Sequence, residues 1–390
     1  MPPAATWSYP TTITIGAGCL AGLPAACRDA GMTRPLLVTD RGLAGLPITA
    51  RALDLLAAGG LGRALFAEVD PNPRDTNLRA GVTVFRAGGH DGVIAFGGGS
   101  ALDLGKLIAF MSGQKDGAGQ KDAAGGVWDF ADRVVWRQRA DAAAARPTIA
   151  VPTTAGTGSE VGRASVLTLS ALGVKRVLSH PKMLPVQVIA DPELTVGMPR
   201  AITIGTGLDA FAHCLEAYSA PEYHPMSHGI ALEGMRLVLE NLDRVVADPG
   251  DLEARTHMMS AAAMGAVAFQ KGLGAIHALS HPIGAIYDTH HGTTNAVVMP
   301  AVLRFNRPAI EPQIVRAAAY LGIAGGFDGF LAHVMALRAR HGIAERFSDM
   351  GVRLTDLEKI ADLAVIDPTA AGNPVPLTRE AALMLLEACA

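Results

Sequence analysis

Apolar and polar positions follow two different rhythms along this chain, and the change falls near residue 190. Before it, short β-branched or aliphatic runs end in glycine, aspartate or proline and are followed by segments of helical spacing. Residues 11–16 predict a strand and turn, followed by a helical segment from Leu20 to Ala30. Pro35 to Asp40 reads as a buried strand with an acid at its end, leading into a helix over 47–59. Further strands are predicted at 64–70, 91–97 and 148–151, with helices at 75–87 and after Gly99. Weaker strand signals lie at 166–170, 175–178 and 186–190. From Asp191 on, the spacing is helical almost throughout, with candidates at 199–219, 226–246, 251–271, 272–286, 308–321, 326–341, 355–364 and 378–389. This predicts an α/β half over 1–190, built on an open parallel sheet, and an all-helical half over 191–390.

Composition narrows the class. The chain of 390 residues is 49% hydrophobic and 18% charged, which suits a compact enzyme with a large core. A formal net charge of −3 offers no basic excess for nucleic acid or an anionic membrane. The four cysteines, Cys19, Cys27, Cys214 and Cys389, form no CxxC pair, so neither a disulfide framework nor a cysteine-only zinc site is expected. With no bilayer-length apolar run and no leader-like start, the expectation is a cytoplasmic protein with no membrane partner. Residues 113–145 stand apart: Gly-Gln-Lys-Asp occurs at 113–116 and again at 119–122, among alanine, glycine and scattered charge. They predict an exposed insertion around a short helix at Trp128, without catalytic content.

The candidate chemistry is concentrated in a few places. Eight of the twelve histidines lie between His213 and His291. His277 and His281 are four apart in an apolar helical segment with a stop signal at Pro282, and His290 and His291 follow before Gly292. Asp209 and His213 have the same spacing upstream. Residues four apart share a helix face, so two helices and a returning loop can bring imidazoles and a carboxylate to one divalent metal. In the first half, Gly97, Gly98, Gly99 and Ser100 join a strand to a helix, where bare backbone amides and the helix N-terminus suit a pyrophosphate. The spacing meets neither the GxGxxG nor the P-loop fingerprint. Asp40 is either a ribose partner or a helix cap. Thr153 to Glu160 supplies hydroxyls suited to ribose and phosphate contacts, or simply a turn.

In order and wording these motifs resemble the iron-containing (group III) alcohol dehydrogenase family. The resemblance spans the strand end at Asp40, the 97–100 turn with Asp103 and Lys106, Pro152 to Glu160, Asp191 and Pro192, Gly207 to His213, and His277, His281 and His291 with Gly292. It implies a dehydroquinate synthase-like architecture, with an N-terminal Rossmann-like parallel-sheet domain and an all-helical metal-binding domain after it. It also implies metal ligation by Asp209, His213, His277 and His291, and a place for His281 beside nicotinamide and substrate, as proton relay or as a positioning group. The cofactor-contacting positions it carries over are Asp40, Gly97, Gly98, Gly99, Ser100, Asp103, Thr153, Thr154, Thr157 and Lys175. The family usually has proline where His290 stands, so His290 is an alternative ligand.

The implied activity is hydride transfer between NAD(H) and a small primary alcohol or aldehyde at Fe(II), with Zn(II) as a substitute, in a homodimer. Asp40 favours NAD over NADP, because its charge repels a 2′-phosphate. One alternative is a hydroxyacid dehydrogenase or transhydrogenase of the 4-hydroxybutyrate type, with Arg163, Lys271 or His290 holding the carboxylate. More remote are a metal-dependent lyase on the same scaffold and a metal-storage oligomer.

Overall fold

The computed structural model describes residues 7–8, 11–114, 128, 130, 133–171 and 174–390, and the chain forms two compact units. One comprises Pro10–Thr154 and Ser159–Gly197, the other Met198–Ala390 with Met1–Tyr9 and Ala155–Gly158. Residues 191–197 therefore stay with the first unit, and Thr157 goes with the second.

The first unit is built on strands β1 (Thr12–Ile15), β2 (Pro35–Asp40), β3 (Leu65–Val69), β4 (Gly92–Gly97), β5 (Thr148–Pro152), β6 (Ala164–Leu169), β7 (Val174–Ser179) and β8 (Gln187–Ala190). Helices α1 (Leu23–Asp29), α2 (Pro47–Ala58), α3 (Asp75–Ala87), α4 (Gly99–Ser112) and α5 (Arg133–Arg139) lie between them. Six strands form one sheet in the order β1-β8-β5-β4-β2-β3, paired in parallel throughout. β4 and β5 are buried along their whole length and β2 in all but Asp40, as parallel strands covered on both faces must be. β6 and β7 form a separate antiparallel pair. The core gathers Leu20, Leu23, Leu37, Leu56, Ile94, Phe96, Ile149 and Ile189.

Buried Asp191 locks the end of β8. Its carboxylate accepts the backbone N–H groups of Gly18 (3.1 Å), Leu20 (3.0 Å) and Glu193 (3.1 Å), so a charge without water is matched by three fixed donors. The insertion matches the expected exposure only in part: residues 137–139 and 141–143 are exposed. The second repeat and most of the expected helix around Trp128 lie outside the described residues, but Gln114, Trp128, Phe130 and Trp136 are all buried, with α5 nearby in the chain. The three aromatic side chains are buried while the charged Arg137, Arg139 and Asp141 stay in water, so burial here costs no charge its solvent.

The second unit contains α6 (Arg200–Ser219), α7 (Pro225–Ala247), α8 (Leu252–Ala268), α9 (Ala275–Tyr287), α10 (His291–Tyr320), α11 (Gly326–Arg340), α12 (Leu357–Val365) and α13 (Arg379–Glu387). The helix expected over 272–286 holds although the stop signal at Pro282 does not, and the helix start expected at 308 fails. α9 runs through Pro282 to Tyr287, and α10 starts at His291 rather than 308, passing Pro300, Pro308 and Pro312. An interior proline costs about 3 kcal/mol, whereas burying one large aliphatic side chain returns about 1.5–3 kcal/mol. α9 buries Ile276, Leu279 and Ile283, and α10 buries Val297, Val298, Val302, Leu303, Ile310 and Ile314, so packing outweighs the lost backbone bonds.

The α/β unit makes a pH-dependent prediction. Glu160 is 4% exposed beside Lys106, and burial pushes its carboxyl up to about 7. A folded pKa above the unfolded value favours the protonated form, so this stabilisation is complete below pH 4.5 and lost as pH rises to about 7. Glu160→Gln should therefore gain on the wild type across that window, by on the order of 3 kcal/mol in paired urea-unfolding curves. An unchanged difference between the two proteins would contradict it.

Candidate functional site

In the helical unit, α6 presents Asp209, His213 and Glu216 along one stripe, all buried. α9 contributes His277 and His281, and the first turn of α10 contributes His291 and Asn295. Oδ1 of Asp209 lies 3.8 Å from Nε2 of His213 and 3.6 Å from Nε2 of both His277 and His291. The imidazoles pack face to face or tilted, with ring centres 4.7 Å apart for His213 and His277 and 5.1 Å for His277 and His291. His281 and His291 are half-buried and Asp209, His213 and His277 fully buried, so the cluster has one open side.

Two backbone features bring His291 to this point. Asp288, which ends α9, has φ 54° and is the one non-glycine residue with positive φ among those described. That left-handed step turns the chain back so that α10 starts beside α9. Gly292 then lies so close to α6 that a Cβ there would fall 1.9 Å from the Gly205 carbonyl oxygen and 2.9 Å from Cβ of Asp209. His290 is used otherwise: its Nδ1 accepts from the Thr293 N–H (3.4 Å) and caps α10.

Burial alone would raise the Asp209 carboxyl, but His213, His291 and His277 outweigh it and hold the group far below the carboxylate range. Burial lowers His213 to about 4 and takes His291 well below its ordinary value, so both are neutral near pH 7 with ring lone pairs to offer. His277 differs. Burial lowers it too, but Glu216 and Asp209 raise it to about 10. The Nδ1–H of His277 donates to Glu216, whose other oxygen accepts the Ile276 N–H (2.8 Å), so this ring is fixed with Nε2 toward Asp209. A carboxylate behind a histidine in this way is the usual support for a metal ligand.

Asn295 fills the remaining side. Its Nδ2 donates to Asp209 Oδ1 (2.8 Å) and stands 3.2 and 3.3 Å from Nε2 of His277 and His291, while its Oδ1 is buried without a hydrogen bond. On the open side, the ring of His281 stacks on His291 at 5.3 Å, and its Nδ1 pairs with Asp367 at 2.9 Å. Lys271 does not face a substrate. Its ammonium donates to the carbonyls of Ala217, Tyr218 and Ala220 and so caps α6, and burial lowers it to about 8.

The donor set fits a metal ion. Four ligands at about 2.0–2.2 Å around a tetrahedral ion stand about 3.3–3.6 Å from one another. The distances from Asp209 to the three imidazoles nearly match that spacing, and ligand atoms of Asp209, His213 and His277 all lie within 4.8 Å of one another, a group that His291 joins through Asp209.

In the α/β unit, β2 leads outward to β3 whereas β4 leads the other way to β5, so the strand order reverses between β2 and β4. Ligands of open parallel sheets bind at such a switch point, beyond the carboxyl ends of the strands. Asp40 ends β2, Gly97 ends β4 and Thr153 and Thr154 follow β5, and the Thr153 N–H donates to the Gly97 carbonyl (3.0 Å). Gly97 has φ 146°, and a Cβ there would fall 2.7 Å from Ala101, so only glycine serves. Gly98 and Gly99 open α4, with Thr154 against Gly98. Asp40 also accepts the Leu43 N–H (2.9 Å), so it is a turn cap in any case.

Three of the expected cofactor residues have internal partners. Asp103 accepts from Ser159 Oγ and the Val166 N–H (2.8 Å) and pairs with buried Lys106 (3.2 Å), which makes it a clasp between α4 and β6. The Ser100 hydroxyl donates to the Pro71 carbonyl, and Lys175 donates to Asn72 (2.8 Å). Thr157 lies in the short stretch that belongs to the helical unit.

Sequence reasoning missed Glu216, Asn295 and Asp367. Glu216 lies three residues after His213 and Asn295 four after His291, so the helical stripe held a signal for both. Asp367 had none.

Known proteins resemble this chain along almost its whole length. Residues 10–192 match the family model for iron-containing alcohol dehydrogenase, and residues 203–390 match the model for its C-terminal part. The chain is 39% identical to 4-hydroxybutyrate dehydrogenase from Cupriavidus necator, over 94% of each chain. It is 35% identical to 1,3-propanediol dehydrogenase from Klebsiella pneumoniae, over 89% of each. A crystal structure of 1,3-propanediol oxidoreductase superposes with a TM-score of 0.88 at 32% identity, covering 98% of this chain and 99% of that one.

Gly292→Ala should push α10 off α6 and pull His291 away from Asp209. We expect metal affinity to fall at least about tenfold in chelator competition while the fold is kept. Unchanged affinity would mean that His291 is not part of the site.

Proposed function

The chain belongs to the iron-containing alcohol dehydrogenase family, and we propose that its helical unit holds the metal and its α/β unit the dinucleotide. It is a metal-dependent oxidoreductase that transfers hydride between NAD(H) and a small alcohol or aldehyde. The observation that carries the site assignment is the convergence of three imidazole Nε2 atoms on one buried carboxylate oxygen.

Asp209, His213, His277 and His291 would hold a divalent ion. When bound, that ion supplies positive charge that eases loss of an alcohol proton and polarises an aldehyde carbonyl. The nicotinamide supplies the hydride acceptor or donor. Asp209 gives the ion its one negative ligand, and Glu216 holds His277 in its binding orientation. Gly97, Gly98 and Gly99 with the N-terminus of α4 would cradle the pyrophosphate, and Asp40 would take the adenosine ribose. Ser100, Asp103, Thr153 and Thr154, and more loosely Thr157 and Lys175, complete the proposed cofactor contacts. His281 would move the hydroxyl proton.

Coordination strength favours zinc over ferrous iron at a site of this kind, while family membership favours iron, and we assign Fe(II) with Zn(II) able to replace it. We further assign a homodimer, after the family, and a cytoplasmic place, in keeping with four free cysteines.

A second substrate reading has one specific support, the 39% identity to a 4-hydroxybutyrate dehydrogenase. It cannot use Lys271 as its carboxylate partner, because that ammonium already caps α6. A short semialdehyde remains a natural member of the substrate panel.

Metal-stripped protein reconstituted anaerobically with Fe(II) or Zn(II) should oxidise NADH with short aldehydes or semialdehydes, and His277→Ala should abolish turnover. NADH binding without turnover with either metal would overturn the dehydrogenase reading. Asp40→Ala should raise kcat/KM for NADPH relative to NADH by roughly tenfold or more, since it removes the charge that opposes a 2′-phosphate. An unchanged ratio would remove Asp40 from the ribose site.

A further inference from the structure

Asp367 comes from the segment after α12, 86 residues from His281, and its carboxylate is anchored independently of that histidine. One oxygen accepts both the Thr369 N–H (2.9 Å) and the Thr369 hydroxyl (2.6 Å). The Asp367 N–H donates to the Ala364 carbonyl (3.1 Å). The other oxygen lies 2.9 Å from Nδ1 of His281. Burial alone would raise the carboxyl, but His281 and Thr369 outweigh it and hold it below its ordinary value. At neutral pH this partner is thus an anion that only accepts, and an acceptor at Nδ1 requires the ring proton to sit there. The face of His281 is fixed as well, by stacking on His291 with an interplanar angle of 13°.

We propose that Asp367 is the positioning residue for His281: it fixes the Nδ1–H tautomer and so leaves Nε2 as the ring atom that exchanges the substrate's hydroxyl proton. This rests on the relay role given to His281 above. In alcohol oxidation the C–H electron pair and hydrogen leave as hydride to NAD⁺, and the O–H proton passes to Nε2 and then to solvent. Asp367 keeps its charge throughout and takes no proton. A carboxylate that merely ties the α12 segment to α9 would show the same contacts in a static structure, so the test must read the ring itself.

The experiment uses the zinc-loaded enzyme and the variants Asp367→Asn, Asp367→Ala and His281→Ala, together with both Asp367 variants combined with His281→Ala. Imidazole ¹⁵N spectra of histidine-labelled protein should show His281 as the Nδ1–H tautomer in the wild type and as a mixture in Asp367→Asn. The single Asp367 variants should lose roughly 10- to 100-fold in kcat, with metal content and KM for NADH unchanged, and should add no loss once His281 is alanine. A wild-type Nε2–H tautomer, or an Asp367 effect undiminished without His281, would overturn the proposal. A kcat unchanged in His281→Ala would instead overturn the relay reading, and the ¹⁵N spectra would then judge the Asp367 tautomer assignment by themselves. Asp367→Asn can keep an acceptor for Thr369 and guards against a variant that fails only because the segment unfolds.

Discussion

A carboxylate in the middle of a buried helix is tolerable only where positive charge or donors meet it, and Asp209 sets that demand for the whole helical unit. His213 one turn along the same helix, His277 from α9, and His291 and Asn295 from α10 all answer it. The imidazoles are themselves costly to bury as cations, so two of them stay neutral and the third is pushed up only because the carboxylates of Glu216 and Asp209 flank it. Such a site is electrostatically complete with a divalent cation at its centre, which is the state that the chemistry of the family requires.

That demand explains local features with no other purpose. The glycine contact between α6 and α10 allows a backbone approach that no side chain would permit, and the left-handed Asp288 makes the reversal that starts α10 in the right place. Both place His291. Its neighbour His290, equally available by composition, is consumed as the cap of the same helix. The α/β unit meets its own demand more simply: buried parallel strands end together at a switch point, and glycine at Gly97 leaves the backbone open there.

Much of this was legible in the residues. The strands read clearly because strands buried on both faces are continuous apolar runs, and Asp209 with His213 and His277 with His281 read clearly because one helical turn separates each pair. Proline misled at the start of α10, and the stop signal at Pro282 was overridden inside the helix expected over 272–286, because local propensity yields where a helix buries enough apolar surface. Within the insertion the exposed reading held for Arg137, Arg139 and Asp141 and failed for Trp128, Phe130 and Trp136, which are buried. Asp103 carried a motif, and its second use as an internal clasp between α4 and β6 had no trace in the sequence. Asp367 was beyond reach, since a contact across 86 residues is made by tertiary packing and has no periodic trace.

The central claim is that Asp209, His213, His277 and His291 together form one metal site, and X-ray absorption at the zinc edge of the reconstituted protein tests it most directly. The account predicts one ion per chain with four nitrogen or oxygen scatterers and outer-shell scattering from three imidazoles, falling to two imidazoles in His291→Ala. A sulfur scatterer, or an imidazole count untouched by that substitution, would contradict it.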